Sequence, residues 1–568
     1  MKLEPRKLLE RLLGCGWLFA LGLALAISAL NTDRQARQVA EYPCCCDPFG
    51  YLQMAQDIRR ATKEGTCPEF TVESAHTRLL IEFMKSRQVP VHLWDDMVGP
   101  LAYRYFPKSN KVSVRYPPGT GLVLALFPQD RALHGLDRFV VITFLAGGLL
   151  ILIVAVVRRA WLSAGLVVLA LQLGLEILGK IDNSSFSINA MLAPLLLAGL
   201  CLFGAGNRKV AKKSWYLAWL LTLLAGLFFG FAILVRLPVV LLLPGLLLML
   251  WPAKLREWRQ GGLWPFTFGV AVTAVLPQAI HQSRLAGAWY LSTYTPVDTG
   301  RPRWQYFWPN LSSYFGQGRS GSESWILLII CVGIAGLLLW LRDRERVASA
   351  TDVSDAESTS FLPEVGWVRL LVATGVTWGL PVAYFLTHQY VQAYYLAPSA
   401  FGSALLLGLG AMAIEVRKPV REKLQGRRAS RALQLMGLAL ALTPGVVAIQ
   451  RAWSNYERPS AERRAPRFVL PAELANEHAW IWADDMSGTL WYYARKPAHK
   501  INSTDKETRG MVYEFVNQRA EPQYLIGDDP AMKLVEKEIV ELGGTLELRG
   551  EVDGRSYYLV RWPAREGS

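Results

Sequence analysis

The run Cys44–Tyr51 (CCCDPFGY) offers the first chemically able carboxylate of the chain, Asp47, in the pattern Asp-x-x-x-Tyr. A carboxylate presented to an incoming hydroxyl accepts its proton, which is the work of a general base. The pair Asp47-Pro48 also reads as a helix start, with aspartate at the N-cap and proline at the first helical position, and such a cap would aim the carboxylate. Farther along, Arg115-Tyr116-Pro117-Pro118-Gly119-Thr120-Gly121 joins a permanent cation to prolines and glycines that force an irregular turn. Its guanidinium fork matches phosphate oxygens, with a snorkelling arginine as the plainer reading. Arg236 stands in Ile233–Pro238 (ILVRLP) with barely a loop around it. A cation held so close to lipid depth is costly unless paired, so Arg236 is a second phosphate candidate, again with snorkelling as the rival. Glu176, Lys180 and Asp182 gather at the end of an apolar run. Lys180 is there either a further phosphate ligand or the partner of a neighbouring carboxylate. His388 and Gln389 close another apolar run, while His281, Arg284, Arg301 and Arg303 border an outer segment. Lone histidines of this kind are more often structural.

Such groups need a scaffold that holds polar side chains at the edge of lipid. The 568 residues are 52% hydrophobic and 19% charged, an average that hides long uncharged runs such as Leu241–Trp251 (LLLPGLLLMLW). About 20 helical residues cross ~30 Å of hydrocarbon, so these runs predict spans. Eleven are expected, at 12–30, 139–157, 161–178, 188–204, 215–235, 237–252, 262–280, 324–341, 367–386, 393–414 and 432–450. With the N-terminus cytoplasmic, the basic clusters at 2–11, 158–159, 208–213, 254–259, 342–346 and 417–431 all fall on one side. The positive-inside rule then places 31–138, 281–323 and 451–568 outside. Within 31–138, the segments 51–63 and 73–87 predict amphipathic helices lying on the membrane surface, and Gly119–Phe127, too short to span, reads as interfacial or re-entrant. Composition changes after 450, where strands at Trp480–Ala483 and Gln523–Ile526, three helices and a hairpin about Asp553-Gly554 predict a small α/β domain. The expected fold is a polytopic α-helical membrane protein with about 11 transmembrane helices (1–450) and an extracytoplasmic α/β accessory domain (451–568).

The net charge of +15 sits largely in the short loops, and no basic face with interleaved aromatics points to nucleic acid. Aromatic residues crowd 289–315, which interfacial anchoring and stacking on sugar rings both explain. Cys44, Cys45, Cys46 and Cys67 share the first outer loop. A disulfide from the triplet to Cys67 is favoured over a metal site, since no CxxC or histidine partner stands at ligand spacing, with free thiols as the third reading. The apolar stretch follows Cys15 instead of preceding it, so the first span reads as an uncleaved anchor.

Taken in order, Asp47-x-x-x-Tyr51 with Ala55, the Arg115-Tyr116-Pro117-Pro118 turn, Gly226–Pro238 (GLFFGFAILVRLP) and His388–Pro398 (HQYVQAYYLAP) resemble the membrane-embedded GT-C glycosyltransferases. The nearest group is that of protein O-mannosyltransferases and bacterial lipid A aminoarabinose transferases, and the resemblance covers roughly residues 10–415. It implies inverting transfer of a sugar from a polyprenyl-phosphate carrier to a lipid, glycan or protein acceptor, at the outer face of the inner cell membrane. Asp47 is then the base and Arg115 a donor-phosphate ligand, with Arg236 and Lys180 as further phosphate candidates. Tyr51, Tyr116, Asp182 and His388 are the expected substrate contacts, and Asn189 competes with Asp182 for the family's second acidic position. Pro48 replaces the usual acidic neighbour, and the late arginine is missing, with Gln392 and Tyr394 nearby. Both departures bear on donor identity and leave room for a non-catalytic scaffold. A flippase or transporter of lipid-linked sugar is the other rival, and predicts broken helices with ionisable groups near the midplane. No cofactor is called for, because the carrier lipid brings the activated sugar; a divalent cation stays open.

Overall fold

The computed structural model describes residues 19–30, 32, 46–158, 161–180, 186–206, 214–251, 262–293, 302–315, 367–388, 393–417, 468–484, 486–527 and 530–563. Helix α1 (Phe19–Leu30) precedes a layer of short elements: α2 (Cys46–Glu64), β1 (Thr71–Val72), α3 (Ala75–Ser86), β2 (Tyr103–Phe106), β3 (Lys111–Val114) and α4 (Gly119–Ala125). The bundle continues with α5 (Ala132–Arg158), α6 (Trp161–Lys180), α7 (Phe186–Ala205), α8 (Trp215–Val235), α9 (Leu243–Leu250), α10 (Leu263–Ala286), α11 (Phe307–Phe315), α12 (Trp367–Leu386) and α13 (Ala397–Arg417). Long apolar runs become helices because backbone in hydrocarbon must satisfy its own N–H and C=O groups.

Among the described residues six helices are long and apolar enough to cross a membrane: Ala132–Val154, Ser187–Ala205, Trp215–Val235, Leu263–Ala286, Val368–Leu386 and Ala397–Ile414. The expected spans at 324–341 and 432–450 lie outside the described residues, and 12–30 is described only from Phe19. Ser163–Leu175 and Leu237–Leu250 are apolar but shorter. The run expected at 237–252 opens as a 3-10 helix, Leu237–Leu242, before α9. Pro238 and Pro244 explain that break, since each removes a backbone donor and fixes its own φ.

The layer formed by residues 46–125 holds more than two surface helices. β1, β3 and β2 form an antiparallel sheet in that order, with Thr71 opposite Ser113 and Tyr103 opposite Val114. Tyr51, Met54, Ala55, Asp57 and Ala61 of α2 are buried, so this helix is enclosed by protein instead of lying on a membrane surface. Residues 119–127, too short to span, supply α4, which packs against α2, α7 and α8.

The tail folds as β4 (Trp480–Ala483), α14 (Met486–Ala494), α15 (Lys506–Asn517), β5 (Gln523–Ile526), α16 (Pro530–Glu541), β6 (Thr545–Val552) and β7 (Arg555–Arg561). Its sheet runs β4-β5-β7-β6, with β4 parallel to β5 and the other pairs antiparallel. Asp553 and Gly554 take φ of 51° and 71°, as the tight hairpin turn requires. This unit shares its core with the layer of residues 46–125. Phe83 stacks on Phe515 with centroids 4.2 Å apart, and His76 lies 4.3 Å from Trp480.

Candidate active site

Helix α2 begins at Cys46, so Asp47 and Pro48 stand inside its first turn, slightly deeper than an N-cap. Proline is tolerated there because first-turn N–H groups have no intrahelical acceptor. One turn on, Tyr51 is 2% exposed and sets its ring 4.8 Å from that of Tyr116. Gly50 permits the approach: a Cβ there would lie 2.7 Å from Ala102 Cβ and 2.9 Å from the Tyr116 ring. His281 Nε2 stands 3.1 Å from Tyr116 O, which ties the same turn to α10.

Arg115, half-buried, donates its backbone N–H to Ala102 O at 3.0 Å. Its Nη1 lies 3.9 Å from Asp96 Oδ2, and Arg104 reaches the same aspartate at 3.8 Å. Arg104 Nε also donates to Asp95 Oδ2 at 2.6 Å. Burial pushes the Asp95 carboxyl up to about 6, with Arg104 pulling the other way. Sequence reasoning passed over Asp95 and Asp96. Two adjacent acids after Trp94 are a visible signal, but only the return of β2 brings them to the arginines.

Arg236 caps α8 in an extended conformation and is 4% exposed. Its Nη1 donates to Ser187 Oγ at 2.8 Å, and its Cζ sits 5.5 Å from the Tyr395 ring centroid. The guanidinium is therefore held inside the protein, which answers the snorkelling alternative. Tyr395 also lies 6.3 Å from the His388 ring, so one aromatic stands between Arg236 and His388. The turn bearing His388 is pinned from α11, where Asn310 Nδ2 donates to His388 O at 2.7 Å. Neither Ser187 nor Tyr395 was singled out from sequence.

The two arginine neighbourhoods meet through α4. Gly119 is seated on the last residues of α8: a Cβ would come within 2.4 Å of Val235 N and 2.5 Å of Leu234 C. Thr120 Oγ1 then donates to Val235 O at 3.2 Å. The Arg115–Pro118 turn and Arg236 are thus attached to opposite sides of one backbone contact.

Lys180 is the last residue of α6, and Asp182 lies outside the described residues. Asn189 is buried, with Nδ2 donating to Asp137 Oδ1 at 3.3 Å. The expected staple to Cys67 is not formed, because Cys67 is an exposed free thiol. Helix α2 separates it from Cys46: 19 residues extend about 28 Å, whereas a disulfide needs Cα atoms within about 7 Å. Cys44 and Cys45 lie outside the described residues. Among the described residues no three histidine, cysteine or acidic side chains are grouped to hold a metal ion.

The opposite face of α2 is braced by the tail. Phe49 meets Tyr492 at 6.0 Å, and Arg495 Nη2 donates to Gln56 Oε1 at 3.0 Å while standing 3.7 Å from Asp57 Oδ1. Asp57 also accepts from Gln53 and Arg60, each at 3.0 Å. Burial raises its carboxyl to about 6 against the pull of Arg495 and Arg60. Leu101 N donates to Ser487 Oγ at 2.9 Å and Lys500 N to Met97 O at 3.1 Å, which closes the seam.

No family model and no curated protein matches the chain. Among solved structures it is similar to the oligosaccharyltransferase of Archaeoglobus fulgidus in the apo form, at 12% identity and a TM-score of 0.38, covering 89% of this chain and 69% of that one. The archaeal oligosaccharyltransferase AglB from that organism, in complex with an inhibitory peptide and a dolichol-phosphate, is similar at 12% identity and a TM-score of 0.37, covering 94% and 73%. A complex of the oligosaccharyltransferase with Zn and sulfate gives 13% identity and a TM-score of 0.40, covering 89% and 68%.

Proposed function

We propose that the chain is a membrane-embedded glycosyltransferase that passes a sugar from a polyprenyl-phosphate carrier to an acceptor hydroxyl outside the cytoplasm. The acceptor oxygen attacks the anomeric carbon, and the bond from that carbon to the phosphate oxygen breaks. The lipid phosphate leaves with the electron pair, the acceptor proton goes to Asp47, and the anomeric configuration inverts. Arg115 and Arg236 hold the phosphate as its charge grows, in a shielded site where fixed cations act strongly. Lys180 and Asp182 flank the donor, and Tyr51, Tyr116 and His388 shape the cleft. Eleven spans in the inner membrane, a cytoplasmic N-terminus and a tail domain from residue 451 outside complete the reading. The acceptor is a lipid, glycan or protein of the envelope.

The observation that carries the proposal is the seating of Gly119 on Leu234 and Val235. It joins the Arg115 turn to Arg236 beside the helix that carries Asp47 in its first turn. The order of the GT-C-like motifs along the chain supports it independently. The test is transfer by the purified full chain in liposomes, supplied with polyprenyl-phosphate sugars of several classes. Wild-type protein should release polyprenyl phosphate, and Asp47→Asn should lose about 10²–10⁴-fold in rate. Full transfer by Asp47→Asn and Asp47→Ala sinks the base assignment. Movement of lipid-linked sugar across the bilayer without transfer selects the transporter reading instead.

A further inference from the structure

We infer that Arg59 is a positioning residue for the donor-phosphate side of the site, acting through α4 without touching substrate; the inference rests on the function proposed above. Arg59 lies on α2, about three turns beyond Asp47. Its Nη2 donates to Leu124 O and to Phe127 O, both at 2.6 Å, and its Nε to Ala125 O at 3.3 Å. Leu124 and Ala125 close α4 and Phe127 lies just beyond it, where helical N–H donors run out; besides Arg59, Leu124 O takes the Phe127 N–H at 3.2 Å. A cation there also complements the dipole of the last turn.

A helix of only seven residues has little stability by itself, so its place is set by what holds it. Three contacts do so. Gly121 lets α4 press on α2, where a Cβ would lie 2.7 Å from Met54 Cβ. Gly119 and Thr120 fasten the other end to Val235 of α8. Arg59 secures the C-terminal carbonyls. The Arg115–Pro118 turn runs directly into α4, and its two prolines leave it little freedom to absorb a shift. Through Arg59 the helix that carries the base also sets the place of the turn that carries the phosphate ligand.

The experiment compares full-length wild type, Arg59→Met and Arg59→Lys in liposomes. It reads kcat and both KM values with a polyprenyl-phosphate sugar, and hydrogen exchange of the amides in 119–125. Arg59→Met should raise the donor KM about tenfold, since it removes charge-assisted bonds to part-buried carbonyls. The acceptor KM should stay unchanged and exchange in α4 should quicken. Arg59→Lys should recover part of the donor KM, because an ammonium still donates to a carbonyl but lacks the fork. A merely structural role lowers the amount of active protein and leaves both KM values alone; that result overturns the inference. So does faster exchange with an unaltered donor KM. If wild type transfers from no polyprenyl-phosphate sugar, the proposed function fails, and the exchange arm then decides alone whether Arg59 pins α4.

Discussion

Replacing Gly119 by alanine should pull apart the two arginine neighbourhoods. The new Cβ would sit 2.4 Å from Val235 N, 2.5 Å from Leu234 C and 2.6 Å from Leu234 O. All three are backbone atoms that cannot rotate aside. Ordinary contact begins at 3.4 Å, so α4 must retreat from the end of α8 by about 1 Å. Overpacking of this kind costs about 1–3 kcal/mol. The Thr120 Oγ1 bond to Val235 O, already 3.2 Å long, is lost with it. If Arg115 and Arg236 hold one phosphate, a displacement of about 1 Å should lower transfer by about 10²-fold. Gly510→Ala is the matched control: nothing lies within 4 Å of its Cβ, and alanine in mid-helix should stabilise by about 0.5–1 kcal/mol. The assay is initial transfer rate against donor concentration, run beside thermal unfolding of the same preparations. A Gly119→Ala protein that melts lower yet keeps the wild-type rate and donor KM would refute the reasoning, because the close seating would then have no bearing on the phosphate.

Two further outcomes follow from the seam between the tail and the layer of residues 46–125. Arg495→Ala removes the bond to Gln56 and one of the cations facing buried Asp57, and should cost about 0.5–1.5 kcal/mol in thermal or denaturant unfolding; a wild-type melt would show the seam to be held elsewhere. Acid should loosen the same seam. Burial pulls His76 down to about 4 and His499 down to about 3 from 6.5, with Glu521 opposing the shift at His76. Their folded values lie below the unfolded one, so their contribution is complete above pH 6.5 and is lost as pH falls through about 4 and then about 3. Asp57 and Asp95, raised from 3.8 to about 6, act in the opposite sense: their contribution is present below 3.8 and lost as pH rises through about 6. Tryptophan fluorescence during acid titration of wild type and His76→Phe separates the two effects. The variant keeps an aromatic ring against Trp480 but has no proton to bind, so its transition should move to lower pH. Coincident transitions would rule His76 out.

Elements whose signal is local were legible in the sequence. The helices Trp215–Val235 and Trp367–Leu386 fall where their apolar runs begin and end, and the hairpin turn sits at Asp553-Gly554, where two positive φ angles are needed. Elements defined by distant partners were not. β1 has two residues and finds its only register against Val112 and Ser113, so no window around Thr71 and Val72 reveals it. The same holds for the candidate site. Arg236 attracts notice alone, yet its acceptor Ser187 and its ring neighbour Tyr395 come from segments on either side of it in the sequence. The surface-helix reading of 51–63 failed for a related reason. One apolar stripe on α2 faces α4, but Phe49, Gln56 and Asp57 face the tail, which follows some 400 residues later. A mixed face that looks suited to lipid and water was built for protein on both sides.

That two-sided burial bears directly on the proposed chemistry. An inverting displacement needs its base and its leaving phosphate on opposite faces of the sugar, so the distance between them must be fixed to within a fraction of an ångström. The base position and the Arg115 turn are both referenced to α2, one through the helix itself and the other through α4 and Arg59. Arg236 is referenced to the bundle, through Ser187 of α7 and the end of α8. Helix α4 touches both bodies, at Gly119 and Gly121, alongside a lighter direct contact of α2 with α7. A helix of seven residues with a glycine at each contact transmits position without adding bulk, and a side chain at either point changes the gap that the sugar must fill. The tail then has a mechanical part to play: by gripping Gln56 and Asp57 through Arg495, it steadies the one helix from which both distances are measured.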